Sequence, residues 1–126
     1  MAELLLGCWP FDITDEIERL LQPAANLADG VIERGPAWTV FTVHDGAELI
    51  AAANVRRTVD GIAEVVLVGG TRFREWLRPL DDTIGKWARD EGCTALRAFG
   101  RKGWAKVLGW QVIGRESGMV GYERAL

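Results

Sequence analysis

Among 126 residues there are two cysteines, one histidine and one serine, and each scarcity closes a class of chemistry. Cys8 and Cys93 are far apart and form no C-x-x-C pair, which argues against a disulfide scaffold, a zinc ribbon and a thioredoxin-type redox site. Two free thiols in a reducing cytosol are expected instead. A single His44 excludes His-rich metal sites, so no metal centre is expected. Ser117 lies in no G-x-S-x-G motif, leaving a serine hydrolase no nucleophile to build on. Long apolar runs are also lacking. Leu4 to Phe11 and Leu49 to Val55 fall short of the roughly 20 residues a membrane helix needs, so no membrane span is expected. Glu3 sits where a secretory signal would carry positive charge, and the expected location is the cytoplasm.

What is present suits one globular domain over residues 1–126, with 48% hydrophobic and 26% charged residues. The net charge of −3 removes a general electrostatic case for nucleic-acid binding. Its distribution is uneven. Glu3, Asp12, Asp15, Glu16, Glu18 and Asp29 oppose only Arg19 before Gly30, whereas Arg97, Arg101, Lys102 and Lys106 stand together without an acid. That basic stretch is either a solvated turn or a contact surface for an acidic or phosphorylated partner. A protein partner is expected ahead of a nucleic acid, for which Trp104 would have to stack on a base.

The hydrophobic spacing predicts an ordered set of elements. An apolar first strand is followed by a short helix, capped by Asp12 or Thr14, carrying Ile13, Ile17, Leu20 and Leu21 on one side and ending at Pro23. Residues 24–36 read as loop. Trp38 to Val43, Glu48 to Val55 and Ile62 to Val68 alternate with the turn signals His44-Asp45-Gly46 and Asp60-Gly61, the pattern of an antiparallel meander. Helical spacing then links Phe73, Trp76, Leu77, Leu80, Ile84, Trp87 and Ala88, with Thr71 as cap, Gly92 as stop and a kink or restart at Pro79. Thr94 to Phe99 is a short strand, Trp104 to Leu108 a short helix, and Trp110 to Ile113 with Met119 to Tyr122 a closing strand pair. The fold class is α+β, a mixed and mostly antiparallel sheet flanked by helices.

This order, together with Trp104-Ala105-Lys106-Val107-Leu108-Gly109-Trp110, resembles the GNAT fold of acetyl-CoA-dependent N-acyltransferases, and Gly100-Arg101-Lys102-Gly103-Trp104 resembles a turn in small GNAT-like proteins of tailed bacteriophages, some of them virion proteins. In active members the resemblance implies backbone amides that cradle pyrophosphate where Gln/Arg-x-x-Gly-x-Gly/Ala opens the main helix. Started at Arg72, that motif meets Glu75 and Leu77 at its glycine positions. If acetyl-CoA binds at all, Gly69, Gly70, Thr71, Arg72 and Arg74 are the residues implied to hold its phosphates. The tyrosine that protonates the departing thiolate in active members is replaced by Ala105, leaving Tyr122 as the only phenol and Glu64 as the candidate base. The expectation is a GNAT-fold protein with a degenerate acetyl-CoA site and no cofactor, acting as a phage or prophage partner-binding or virion-associated module. Its partner surface would be Arg97, Arg101, Lys102 and Lys106. The alternative is an active acyltransferase with a divergent CoA loop.

Overall fold

The structure, a computed structural model, describes residues 4–10, 13–27, 30–100, 103–116 and 119–126. The elements are β1 (Leu4–Pro10), α1 (Asp15–Asn26), β2 (Trp38–Asp45), β3 (Glu48–Arg57), β4 (Ile62–Gly70), α2 (Phe73–Asp90), β5 (Ala95–Phe99), α3 (Gly103–Val107), β6 (Gln111–Glu116) and β7 (Met119–Ala125). All seven strands join one sheet in the order β1-β2-β3-β4-β5-β7-β6, antiparallel throughout except where β4 meets β5. That parallel contact is brief. Ile62, Ala63 and Glu64 pair with Ala95, Leu96 and Arg97, after which the two strands part.

Two local departures from the expected pattern come from prolines. α1 runs through Pro23 to Asn26, and α2 runs unbroken through Pro79. Each helix buries an apolar stripe, Ile17, Leu21 and Ala25 in α1 and Trp76, Leu77, Leu80, Ile84 and Ala88 in α2, and that packing outweighs one missing hydrogen bond. Thr14 caps α1, its Oγ1 accepting from the Ile17 amide. Thr71 does not cap α2. That position falls to Arg72, whose φ of 61° and ψ of 38° are left-handed and whose side chain makes no capping bond. Phe73 is 44% exposed, so the buried aromatic of the first turn is Trp76, whose indole N–H donates to the Thr71 carbonyl at 2.6 Å.

The sheet carries a core on each face. On one side Phe41, Val43, Ala53, Val55, Val65 and Leu96 pack against α2 and α3. On the other, Val40, Ala52 and Leu67 pack against α1. Leu67 reaches the α1 side because β4 holds one extra residue: Val55 pairs with Val65 and Asn54 with Leu67, so Val66 is a bulge. At the far end of β4 the backbones come so close that side chains are excluded. A Cβ on Gly69 would overlap the Leu20 carbonyl of α1, and one on Gly70 would overlap the Ile50 carbonyl of β3.

Where β4 and β5 separate, the gap is filled from within. Trp104 and Trp110 meet edge to face, with centroids 5.1 Å apart and planes at 87°, and with Val65, Val68, Leu77, Leu80, Ile84, Leu96 and Leu108 they leave a cavity of about 10 Å³. Among the described residues, Asp81 is the one charged group lining it. Its carboxylate accepts from the Trp110 indole N–H at 3.2 Å and pairs with Arg124 at 3.2 Å, while the Arg124 guanidinium also donates to the Asp81 carbonyl. Arg124 lies across α2 at Gly85, where a Cβ would stand 2.8 Å from its Nη1. Burial raises the Asp81 carboxyl above the ordinary aspartate range, and Arg124 and Trp110 only partly offset it.

Two outcomes follow from this packing. Gly69→Ala forces backbone against backbone and should destabilise the domain by about 1–3 kcal/mol or more, measured by denaturant unfolding. Asp81 is raised in the folded state, so its contribution is fully present below the unfolded carboxylate pKa of about 3.9 and is lost as pH rises through the folded value. Asp81→Asn keeps an acceptor for Trp110 and should flatten that segment of the stability-pH curve. An unaltered curve would show that Asp81 titrates as it does in the unfolded chain.

Candidate functional site

Three elements converge on the first turn of α2: the end of β4, the β2–β3 turn and the helix start itself. The sequence suggests Gly69, Gly70, Thr71, Arg72 and Arg74 as an anion-binding group, and the chain brings all five to this point. Most of their binding capacity is already used internally. Gly69 and Gly70 turn their bare faces toward Leu20 and Ile50. The Thr71 amide donates to the Ile50 carbonyl at 3.0 Å. Arg72 forms a two-pronged bond to Glu75, Nε to Oε2 at 2.6 Å and Nη2 to Oε1 at 2.8 Å, and a third bond to Asp45 Oδ2 at 2.8 Å. The hydrogen bond from Arg72 holds the Glu75 carboxyl below its usual range, so Glu75 is an anion at neutral pH. A carboxylate in the first turn also matches the positive end of the helix dipole. Arg74 is exposed and has no acidic partner among the described residues.

The two catalytic candidates lie on opposite faces of the sheet. Glu64 follows Ala63 and precedes Val65, both in the α2-side core, and therefore points to the α1 side, where it pairs with Arg56 at 2.5 Å. Tyr122 packs with the α2-side core, paired across the sheet with Ala98 and Val112. The strand β5 stands between them.

The basic stretch is divided in the same way. Lys106 belongs to α3 over the α2-side core, while Arg97 points to the α1 side and is neutralised by Glu123 at 2.7 Å. Arg101 and Lys102 lie outside the described residues.

Pairing across the sheet produces a grouping not apparent in the sequence. Trp38, Arg56, Glu64, Arg97, Glu123 and Gln111 are successive partners from β2 to β6 and form one row on the α1-side face. The Arg56 guanidinium lies 5.8 Å from the Trp38 ring centroid. One residue inward on this face, Asn54 is fully buried; its amide donates to the Glu33 carbonyl at 3.0 Å, while its Oδ1 has no partner among the described residues. Asp45 and Asp81, which shape the α2 side, were missed by motif reading, whereas Glu75 was met there only as a residue in place of a glycine. Only the Arg72-x-x-Glu75 spacing offered a signal, that of an i,i+3 ion pair.

The resemblance implies that an acyl-CoA would set its pyrophosphate at the first turn of α2, where Glu75 places a negative charge. The cavity bordered by β4, β5 and α2 holds about 10 Å³, barely the space of one water.

No family model and no curated protein matches the chain. Solved structures do. A Bacillus subtilis acetyltransferase in complex with CoA aligns over 100% of this chain and 99% of its own, with a TM-score of 0.69 and 18% identity. A GNAT family acetyltransferase from Elizabethkingia anophelis with acetyl-CoA bound aligns over 98% of both chains at a TM-score of 0.67 and 13% identity. The ribosomal-protein-S18-alanine N-acetyltransferase from Escherichia coli aligns over 96% of this chain and 94% of its own, at 0.67 and 13%. With the β4–β5 divergence, the bulge in β4 and a helix following each of these strands, these alignments over nearly whole chains identify the architecture as the GNAT acetyltransferase fold.

Proposed function

We propose that this chain is a GNAT-fold binding module that does not transfer acetyl groups. The observation that carries this reading is the clamp of Arg72 by Glu75 and Asp45. The helix start that would attract phosphate already holds a carboxylate of the chain's own, and Arg72 is occupied by two acids, which leaves only the exposed Arg74 of the two arginines at the junction. The filled channel between β4 and β5 supports the same reading. So does Ala105, buried in the core at the position the resemblance gives to the acid. Association with a virion or assembly complex of a tailed bacteriophage, in an infected bacterial cytoplasm, rests on the similarity of Gly100-Arg101-Lys102-Gly103-Trp104 alone. The competing reading, an acyltransferase with Glu64 as base and a divergent CoA loop, draws on the retained β4–β5 divergence and the CoA-bound neighbours.

Calorimetric titration separates them. Acetyl-CoA at up to ~1 mM should give no saturable heat, a free energy weaker than about −4 kcal/mol. A dissociation constant of about 10 μM that is lost in Arg74→Glu would overturn the degenerate-site reading and promote the acyltransferase one. If the clamp is what closes the site, then Asp45→Asn with Glu75→Gln frees Arg72 and should give inorganic phosphate a measurable thermal stabilisation absent in the wild type. Equal responses of both proteins to phosphate would show that the clamp is not the barrier.

A further inference from the structure

Positive charge is left over on one flank of α2. Arg34, Arg56, Arg57, Arg72, Arg97 and Arg124 are each paired with a carboxylate. Arg74, Arg78 and Arg89 are exposed and form no ion pair among the described residues. At the helical repeat of about 3.6 residues, positions 74, 78, 85 and 89 fall on the same flank. Arg78 marks that flank as the one facing α3, since its guanidinium reaches the Val107 carbonyl at 3.5 Å. The acid at its inner edge, Asp81, is cancelled. Gly85 leaves room for Arg124 of β7 to lie across the helix and pair with Asp81 at 3.2 Å. Lys106 adds an exposed cation on α3. The next stripe of α2, turned away from α3, is mixed: Asp82, Lys86 and Asp90 follow one another at intervals of four.

The flank is thus positive along about 22 Å of helix and narrow across it. A nucleic-acid duplex carries one charge per about 1.7 Å of axis, several times what these few cations can balance, and it would lay the excess over Asp82 and Asp90. An acidic helix matches both sign and repeat. Carboxylates at its positions i, i+4 and i+15 line one side just as Arg74, Arg78 and Arg89 do, and a width of about 10–12 Å lets it lie over a single flank. Val107, 54% exposed next to Arg78, offers its other residues an apolar contact. We propose that this flank of α2, with Lys106, is a docking surface for an acidic amphipathic helix of a partner protein. The proposal rests on the binding-module reading and names the chemistry of the partner. It also takes Arg97 out of the partner surface, because Glu123 neutralises that residue on the opposite face of the sheet.

The test is fluorescence anisotropy of a labelled helical peptide of about 16 residues, glutamates along one side and leucines along the other, titrated with the full chain at low salt. The wild type should bind it saturably, with an affinity that falls steeply as salt is added. Arg78→Glu with Arg89→Glu should weaken binding at least tenfold, and Arg78→Gln with Arg89→Gln should fall in between. Lys86→Glu, on the mixed stripe, should change it less than twofold. Unfolding midpoints close to that of the wild type check that these surface variants fold. Arg74 is left intact, so that loss of peptide binding and gain of acetyl-CoA binding are scored on different residues. Absence of saturable binding, equal binding of a peptide with lysines in place of the glutamates, a reversed-charge variant that binds as the wild type does, or tighter binding of a DNA duplex of the same length would each overturn the proposal.

Discussion

The short parallel contact between β4 and β5 is the constraint on which the rest of this molecule depends. Three residue pairs hold the strands together, and beyond Glu64 and Arg97 they diverge. A divergence in the middle of a sheet exposes apolar surface on both strands, which must be covered by a ligand or by the chain. Here the chain covers it. Trp104, Leu108 and Trp110 arrive from α3 and the segment after it, and Asp81 ties that segment to α2 and, through Arg124, to β7.

The same economy governs the first turn of α2. In a nucleotide-binding loop, glycines let a ligand approach the backbone; in this chain Gly69 and Gly70 let α1 and β3 approach it instead. The left-handed Arg72 then aims its guanidinium back at the β2–β3 turn and forward along the helix. A conformation that normally costs a non-glycine residue free energy is held by two acids at once. The components of this turn are directed toward one another.

Much of the frame was legible in the sequence, because the meander and α2 are set by periodicities of two and about 3.6 residues that local reading detects. The order of elements and the helix–sheet alternation followed from these. What escaped reading involved competition between levels. Pro23 and Pro79 satisfy every local rule for a helix end, yet burial of Leu21, Ala25, Leu80 and Ile84 keeps both helices going. The glycine pair could be recognised as special, but whether a ligand or a neighbouring strand takes up its space is decided by Leu20 and Ile50, residues about 20 to 50 positions earlier in the chain. The basic stretch looked continuous because four cations fall within ten residues of sequence; alternation along β5 sends Arg97 to one face while α3 holds Lys106 over the other. Glu123 neutralises Arg97 from 26 positions away, a relation only the register reveals.

The row from Trp38 to Gln111 also bears on how the domain responds to heat. Its two ion pairs, Arg56–Glu64 and Arg97–Glu123, are partly exposed, so each contributes little at room temperature, but they stand on neighbouring strands of one row rather than scattered. The cost of stripping water from charges falls on warming, whereas the apolar contribution per unit area levels off. The fraction of stability owed to the row therefore grows toward the melting point. Salt screening of the row should matter more for this protein hot than cold.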